Sequence, residues 1–198
     1  VAINESEISN NISYDVYNSV TGLIVDGENN WWGTPCGPSS IYGDVDYSPW
    51  YVDEAMSTTT DVGPVTGSFT IPSTMSMLER NAVIECAADG TVFDFEDDTY
   101  TGGIVVTNDN LTFNLNGAII GEGSPAFTID AANITITGPG GLDGGGSSSS
   151  AILVKGGVTS FILDTVEILN WANGVYYEGA ITNTQLIDNF IHDNSTDG

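Results

Sequence analysis

The chain has 198 residues, 27 of them acidic against Arg80, Lys155 and a single histidine, for a formal net charge of -25. Nucleic acid and anionic membrane surfaces are therefore poor partners, while a hydrophobic content of 40% argues against a disordered acidic tail. No run of about 18 apolar residues offers membrane insertion, and no signal peptide is visible, as expected of an exported protein in its mature form.

In chain order, Val1-Ala2-Ile3 is a short apolar run, and Asn18-Ser19-Val20-Thr21-Gly22 leads into a second one, Leu23-Ile24-Val25. An aromatic and glycine-rich stretch follows, Asn29-Asn30-Trp31-Trp32-Gly33-Thr34-Pro35-Cys36-Gly37-Pro38, and then Gly43-Asp44-Val45-Asp46-Tyr47-Ser48-Pro49-Trp50. Residues 55–67 have linker composition. Beyond them come short apolar strand centres at 104–106, 113–115, 119, 127–129, 134–136, 152–154, 161–163, 166–168 and 175–177, separated by Gly, Asn, Asp, Ser and Thr. The segments Asn110-Leu111-Thr112-Phe113 and Asn133-Ile134-Thr135-Ile136 stand one period of about 23 residues apart, which is solenoid spacing. Strands this short become stable when each coil stacks on the next and buries a continuous apolar column.

These features resemble the right-handed parallel β-helix of the pectate-lyase-like superfold. The stretch from Met77 to Val106 is similar to the cap helix and first coil that open such domains. The Asn29–Pro38 and Gly43–Trp50 segments resemble the piece that closes them in bacterial and archaeal cell-surface proteins, including sheath and surface-layer proteins. In that family the cap comes first and the closing segment last; here the order is reversed. The resemblance implies an all-β fold with a short cap helix, in permuted or neighbour-completed order. Residues 1–54 would supply terminal coils and the closing motif, 55–67 a linker, and 68–198 the cap helix and main coils. The polar turn at Asn194–Gly198 runs into Val1–Ile3 as Asn173-Gly174 runs into Val175–Tyr177. Val1, Ala2, Ile3, Asp197 and Gly198 are thus expected at a junction. Its partner is either a neighbouring copy or the chain's own opposite end, and the same continuity holds if the chain is a window on a longer repetitive polypeptide.

The resemblance also places Cys36 in the closing motif and Cys86 on the cap helix. These are opposite ends of one β-helix, but they meet where one helix abuts the next, so a Cys36–Cys86 disulfide would lock the junction in an oxidising exterior. The family's catalytic motifs are absent, and three cationic side chains share no motif, so no enzymatic activity is expected. Asp164, Glu167, Asp188 and Asp193 are the residues a glycoside-cleaving alternative would use. No cofactor is required. Calcium is allowed at Asp94, Glu96, Asp97 and Asp98, which concentrate four carboxylates in five residues. Asn11 and Asn194 are the better glycosylation acceptors among the Asn-x-Ser/Thr sequons, and glycans are allowed as ligands. The expected function is structural and extracellular, with copies polymerising head to tail at the cell surface.

Overall fold

The computed structural model describes residues 1–122 and 125–195, which group into two compact units, Val1–Pro64 and Val65–Gly198. Both are built from short parallel strands stacked coil on coil, and the fold is a parallel β-helix with one short α-helix.

In the first unit the strands are β1 (Val16–Tyr17), β2 (Val25–Asp26), β3 (Ile41–Tyr42), β4 (Val45–Asp46), β5 (Trp50–Tyr51) and β6 (Thr59–Thr60). Parallel pairs join β1 to β3 and β2 to β4, and parallel bridges join Ala2 to Asp26 and Glu7 to Trp31. The inward residues Val16, Val25, Trp32 and Trp50 form a small core, with Ile3, Ile8, Ile41 and Val45 packed on it. The adjacent asparagines of the aromatic stretch do separate jobs. Asn29 takes a left-handed corner at φ 55°. Asn30 is fully buried: its Oδ1 accepts the Ser6 amide at 3.0 Å, and its Nδ2 donates to the carbonyls of Ile3 and Gly27, so one side chain clasps two coils. Gly43 is required by contact, since a Cβ there would stand 1.9 Å from the Asn18 carbonyl oxygen.

The stretch expected to be a linker is partly structured. Thr59–Thr60 pairs antiparallel with β5, placing Thr60 opposite Trp50, and Thr60 is buried. Ser/Thr-rich composition disfavours a core but does not prevent backbone pairing with an existing edge.

The second unit contains β7 (Ser68–Ile71), α1 (Met77–Glu85), β8 (Val92–Phe95), β9 (Thr99–Tyr100), β10 (Ile104–Val106), β11 (Thr112–Asn114), β12 (Ile119–Ile120), β13 (Phe127–Ile129), β14 (Ile134–Thr137), β15 (Gly141–Asp143), β16 (Ser150–Val154), β17 (Thr159–Asp164), β18 (Glu167–Leu169), β19 (Asn173–Tyr177), β20 (Thr182–Ile187) and β21 (Phe190–His192). They form three parallel sheets, ordered β10-β13-β16-β19, β7-β8-β11-β14-β17-β20 and β9-β12-β15-β18-β21. The coil step ranges from 20 residues, Val92 to Thr112, to 27 residues, Ile134 to Phe161. One corner is held by Asn110, Asn133, Ser160 and Asn183, one per coil, all at φ between 56° and 62°. Asparagine tolerates that left-handed region better than other side chains with a Cβ, and Asn133 donates to Asn110 Oδ1 at 2.9 Å. Inside, Phe93, Phe113, Ile136 and Leu163 stack as one fully buried row.

Helix α1 takes the place of a strand beside β10. Ser76 Oγ caps it by accepting the Glu79 amide at 3.2 Å. Asn81 then mimics a strand neighbour, its Oδ1 accepting the Val105 amide at 3.1 Å and its Nδ2 donating to the Gly103 carbonyl at 2.9 Å. Arg80 is buried, donates from Nη2 to the Thr101 carbonyl at 2.5 Å and lies 5.6 Å from the Tyr100 ring centroid. Burial lowers its pKa, and its role is to fasten the helix.

Candidate functional site

Stacked strands satisfy their backbone groups on both sides except at the ends of the stack, where a row of N–H and C=O groups and the last layer of the apolar column remain open. In the second unit the start of the stack has α1 lying along β10. The other end differs. Among the described residues, β19, β20 and β21 pair only with the coil before them. The column is open there: Leu163 is fully buried but its stacked successor Leu186 is 48% exposed, and Ile168 is fully buried but Ile191 is 42% exposed. Phe190, on the outer surface of the same coil, is exposed.

The first unit has the complementary arrangement. Its far edge, β5, is covered by the antiparallel strand β6. Among the described residues, Ala2, Glu7 and β1 at the near edge pair only with the coil that follows them, and Ile3 and Ile8 are only partly buried. Val1 and Tyr17 are exposed. On the outer surface Tyr14, Tyr17 and Tyr42 form an aromatic cluster, with the Tyr17 and Tyr42 rings stacked 4.7 Å apart. That cluster was not apparent in sequence, because its members are brought together only by the 25-residue step from Val16 to Ile41.

The open coil of the second unit carries the chain's only histidine. His192 lies between two carboxylates, with Nδ1 2.8 Å from Asp193 Oδ2 and Nε2 3.1 Å from Glu167 Oε1 on the previous coil. Hydrogen bonds to Asp193 and then Glu167 raise its pKa above the ordinary value. The Phe190 ring lies 4.1 Å from the imidazole, centroid to centroid. Asn189 clasps this coil to its neighbour as Asn30 does in the first unit: its Oδ1 accepts the Val166 amide at 2.9 Å and its Nδ2 donates to the Leu163 carbonyl at 2.8 Å. The predicted hydrolytic carboxylates are also near here. Glu167 and Asp188 line a shallow cavity of about 330 Å³ with Phe190, Asp164 accepts the Thr165 hydroxyl, and Asp193 holds His192.

Of the residues expected at a junction, Ala2 bridges Asp26, the Asp26 amide donates to the Val1 carbonyl at 2.9 Å, and the Ile3 amide donates to the Asp26 carbonyl at 2.8 Å. Asp197 and Gly198 lie outside the described residues. Neither Cys36 nor Cys86 is a free thiol; Cys86 is the C-cap of α1. Three of the four carboxylates considered for calcium accept hydrogen bonds within the protein, and Ser73 serves both Glu96 and Asp98. Asp94 accepts from the Ser68 hydroxyl at 2.5 Å and the Asn114 amide at 2.8 Å, and these bonds, the Ser68 one foremost, hold its pKa below the usual range. Glu96 accepts the Ser73 amide, Asp97 lies against Gly117, and Asp98 accepts the Thr99 amide. Among the described residues, no three His, Cys, Asp or Glu side chains are grouped to hold a metal ion. Asn11 is exposed and donates to Asp15 at 3.3 Å, whereas Asn194 is half-buried with its Oδ1 accepting the Trp171 amide at 3.0 Å.

Among the described residues no helix is long and apolar enough to cross a membrane. No protein-family model, curated protein or solved structure matches this chain.

Proposed function

We propose that the protein is a non-enzymatic structural component of the cell exterior whose copies join end to end into a filament, sheath or surface layer. The observation that carries this reading is the partial exposure of inward apolar side chains at both terminal described coils, Ile3 and Ile8 in the first and Leu186 and Ile191 in the last, onto which a further coil would continue the buried column. An uncovered β edge of this kind recruits further strands, and a contact between two different surfaces of the same chain repeats without limit unless its geometry closes a ring. The absence of free thiols among two cysteines suits an oxidising exterior, and a surface with 27 carboxylates keeps the subunits soluble before assembly.

Size-exclusion chromatography combined with electron microscopy of the purified chain tests the reading. Growth of extended polymers with protein concentration is the expected result. A discrete monomer at every salt and protein concentration would sink it. A second reading rests on the cavity lined by Glu167, Asp188 and Phe190, whose carboxylates and exposed ring have the chemistry to hold a sugar. It calls instead for glycan binding or cleavage by a non-polymerising particle, lost on Glu167→Gln.

A further inference from the structure

We propose that Tyr17 and Tyr42 are an oxidative cross-linking site, at which a one-electron oxidant joins the two rings through a carbon–carbon bond and staples one coil of the first unit to the next. The proposal is independent of end-to-end assembly, since both rings belong to coils that are paired within one chain.

The backbone sets the two rings over each other. Strands β1 and β3 run parallel with Tyr17 opposite Tyr42, so Val16 and Ile41 turn inward and both tyrosines turn outward. The chain is tied on either side of the pair. Before it, the Asp15 amide donates to the Ser40 carbonyl at 2.7 Å, and the Asp15 carboxylate accepts the Ser39 and Ser40 amides at 3.0 and 3.1 Å. After it, the Asn18 amide donates to the Tyr42 carbonyl at 2.8 Å, and Asn18 Nδ2 donates to the Asp44 carbonyl at 2.9 Å. The rings are held 4.7 Å apart, centroid to centroid, with 15° between their planes. Tyr14 shares the patch at 5.4 Å from Tyr17 and 5.8 Å from Tyr42, but tilted by 47° and 61°. The chain has eight tyrosines, and among the described residues the Tyr17–Tyr42 pair is the one in which two phenol rings stack nearly parallel.

Both rings are exposed to an oxidant in solution. Each phenol gives one electron to the oxidant and one proton to water, leaving a radical whose spin lies partly on the ring carbons beside the oxygen. The two radicals pair to form one Cε–Cε bond, and each ring regains its aromaticity when the hydrogen on that carbon transfers to the phenol oxygen. The net loss is two electrons and two protons, which hydrogen peroxide takes up through a peroxidase as it is reduced to two waters. Exposed side chains rotate in picoseconds to nanoseconds, so the rings can leave the stack and meet edge to edge.

Two effects direct the coupling to this pair. A partner already in place turns a meeting of two molecules into a step within one, at an effective concentration that free copies do not reach. Copies that each carry -25 also repel one another at low salt, which disfavours coupling between chains. The gain to the fold is clear from the core beneath. The unit Val1–Pro64 buries only Val16, Val25, Trp32 and Trp50 in its hydrophobic cluster, and a core this small benefits from a covalent staple.

Full-length protein, dilute and at low salt, is treated with hydrogen peroxide and a peroxidase, digested, and mapped by mass spectrometry. The expected main product is a Tyr17–Tyr42 linked peptide lighter by two hydrogens than its two parts, in a fluorescent band that migrates as a monomer, with a higher denaturant midpoint than the untreated protein. Tyr17→Phe, which keeps the stacked ring, should lose the link and most of the fluorescence, whereas Tyr47→Phe should lose neither. A main product that joins two chains or another pair of tyrosines, or that forms equally in the urea-unfolded chain, overturns the proposal. So does an unlinked protein in a reaction that couples free tyrosine added to the same tube. A link that leaves the midpoint unchanged overturns the stapling role.

Discussion

At the residue scale, the side chains that matter most are those bonding backbone from one coil to the next. Asn30 is buried without exposure and its amide is engaged on both atoms. Asn30→Ala would leave the Ser6 amide and the Gly27 carbonyl without that partner, and leaving two such groups unmet costs roughly 2–4 kcal/mol. The denaturant midpoint should fall accordingly, whereas an unchanged midpoint would show that water replaces both bonds. His192 gives a signed pH dependence. Its folded pKa is raised by Asp193 and Glu167, so the protonated form is favoured on folding. The stabilisation is fully present below the ordinary value of about 6.5 and disappears as pH rises through the higher folded value. The protection factors of the β21 amides, corrected for the intrinsic pH dependence of exchange, should fall across that window in the native chain but stay flat in His192→Gln.

At the element scale, the strands are stable only as members of a stack, since two to six residues apiece cannot hold a hairpin, still less a lone strand. Position along the column therefore sets what each apolar residue does. Leu163 and Leu186 are register partners in adjacent strands, but the first is fully buried and the second nearly half exposed. Leu163→Ala should destabilise the fold by about 2–5 kcal/mol through the cavity it leaves. Leu186→Asp should leave the monomer's unfolding midpoint little changed and abolish end-to-end association, because it places a charge where the next coil must pack. Analytical ultracentrifugation beside chemical denaturation separates the two outcomes, and a Leu186→Asp protein that still polymerises would mean the open edge is not the contact surface.

At the scale of the whole molecule, copies that each carry -25 must approach within a Debye length of about 8–10 Å to join. Monovalent salt should therefore promote association. A bound divalent cation would add a chelator-sensitive step; light scattering against sodium chloride, with and without chelator, reads both effects. The cysteines bear on the junction differently. We expect Cys36 and Cys86 to be bridged to each other, detected as one linked peptide pair under non-reducing mass spectrometry. Closing a loop of about 50 residues, the bridge should add on the order of 4 kcal/mol in the chain-entropy account. Reduction should lower the melting temperature without removing β-structure, and finding both thiols free would sink the bridge.

The sequence by itself determined the solenoid, because a short-range signal repeated at a nearly constant step is enough to specify it. The 23-residue echo of Asn110 in Asn133 and the apolar strand centres are legible without knowing which residues touch, whereas the helix from Met77 was read through a resemblance. β20 and β21 were not legible, since Thr182–Ile187 is mostly polar and becomes a strand only by pairing with β17. The Tyr14, Tyr17 and Tyr42 cluster, the His192 clasp and the partners of Asp94, Glu96 and Asp98 likewise depend on which coil lies beside which. Coil steps vary from 20 to 27 residues, so side-chain neighbours cannot be read by adding a fixed period. Only the tertiary structure decided where the column closes and where it stays open, because exposure at an edge depends on whether another strand lies beyond it.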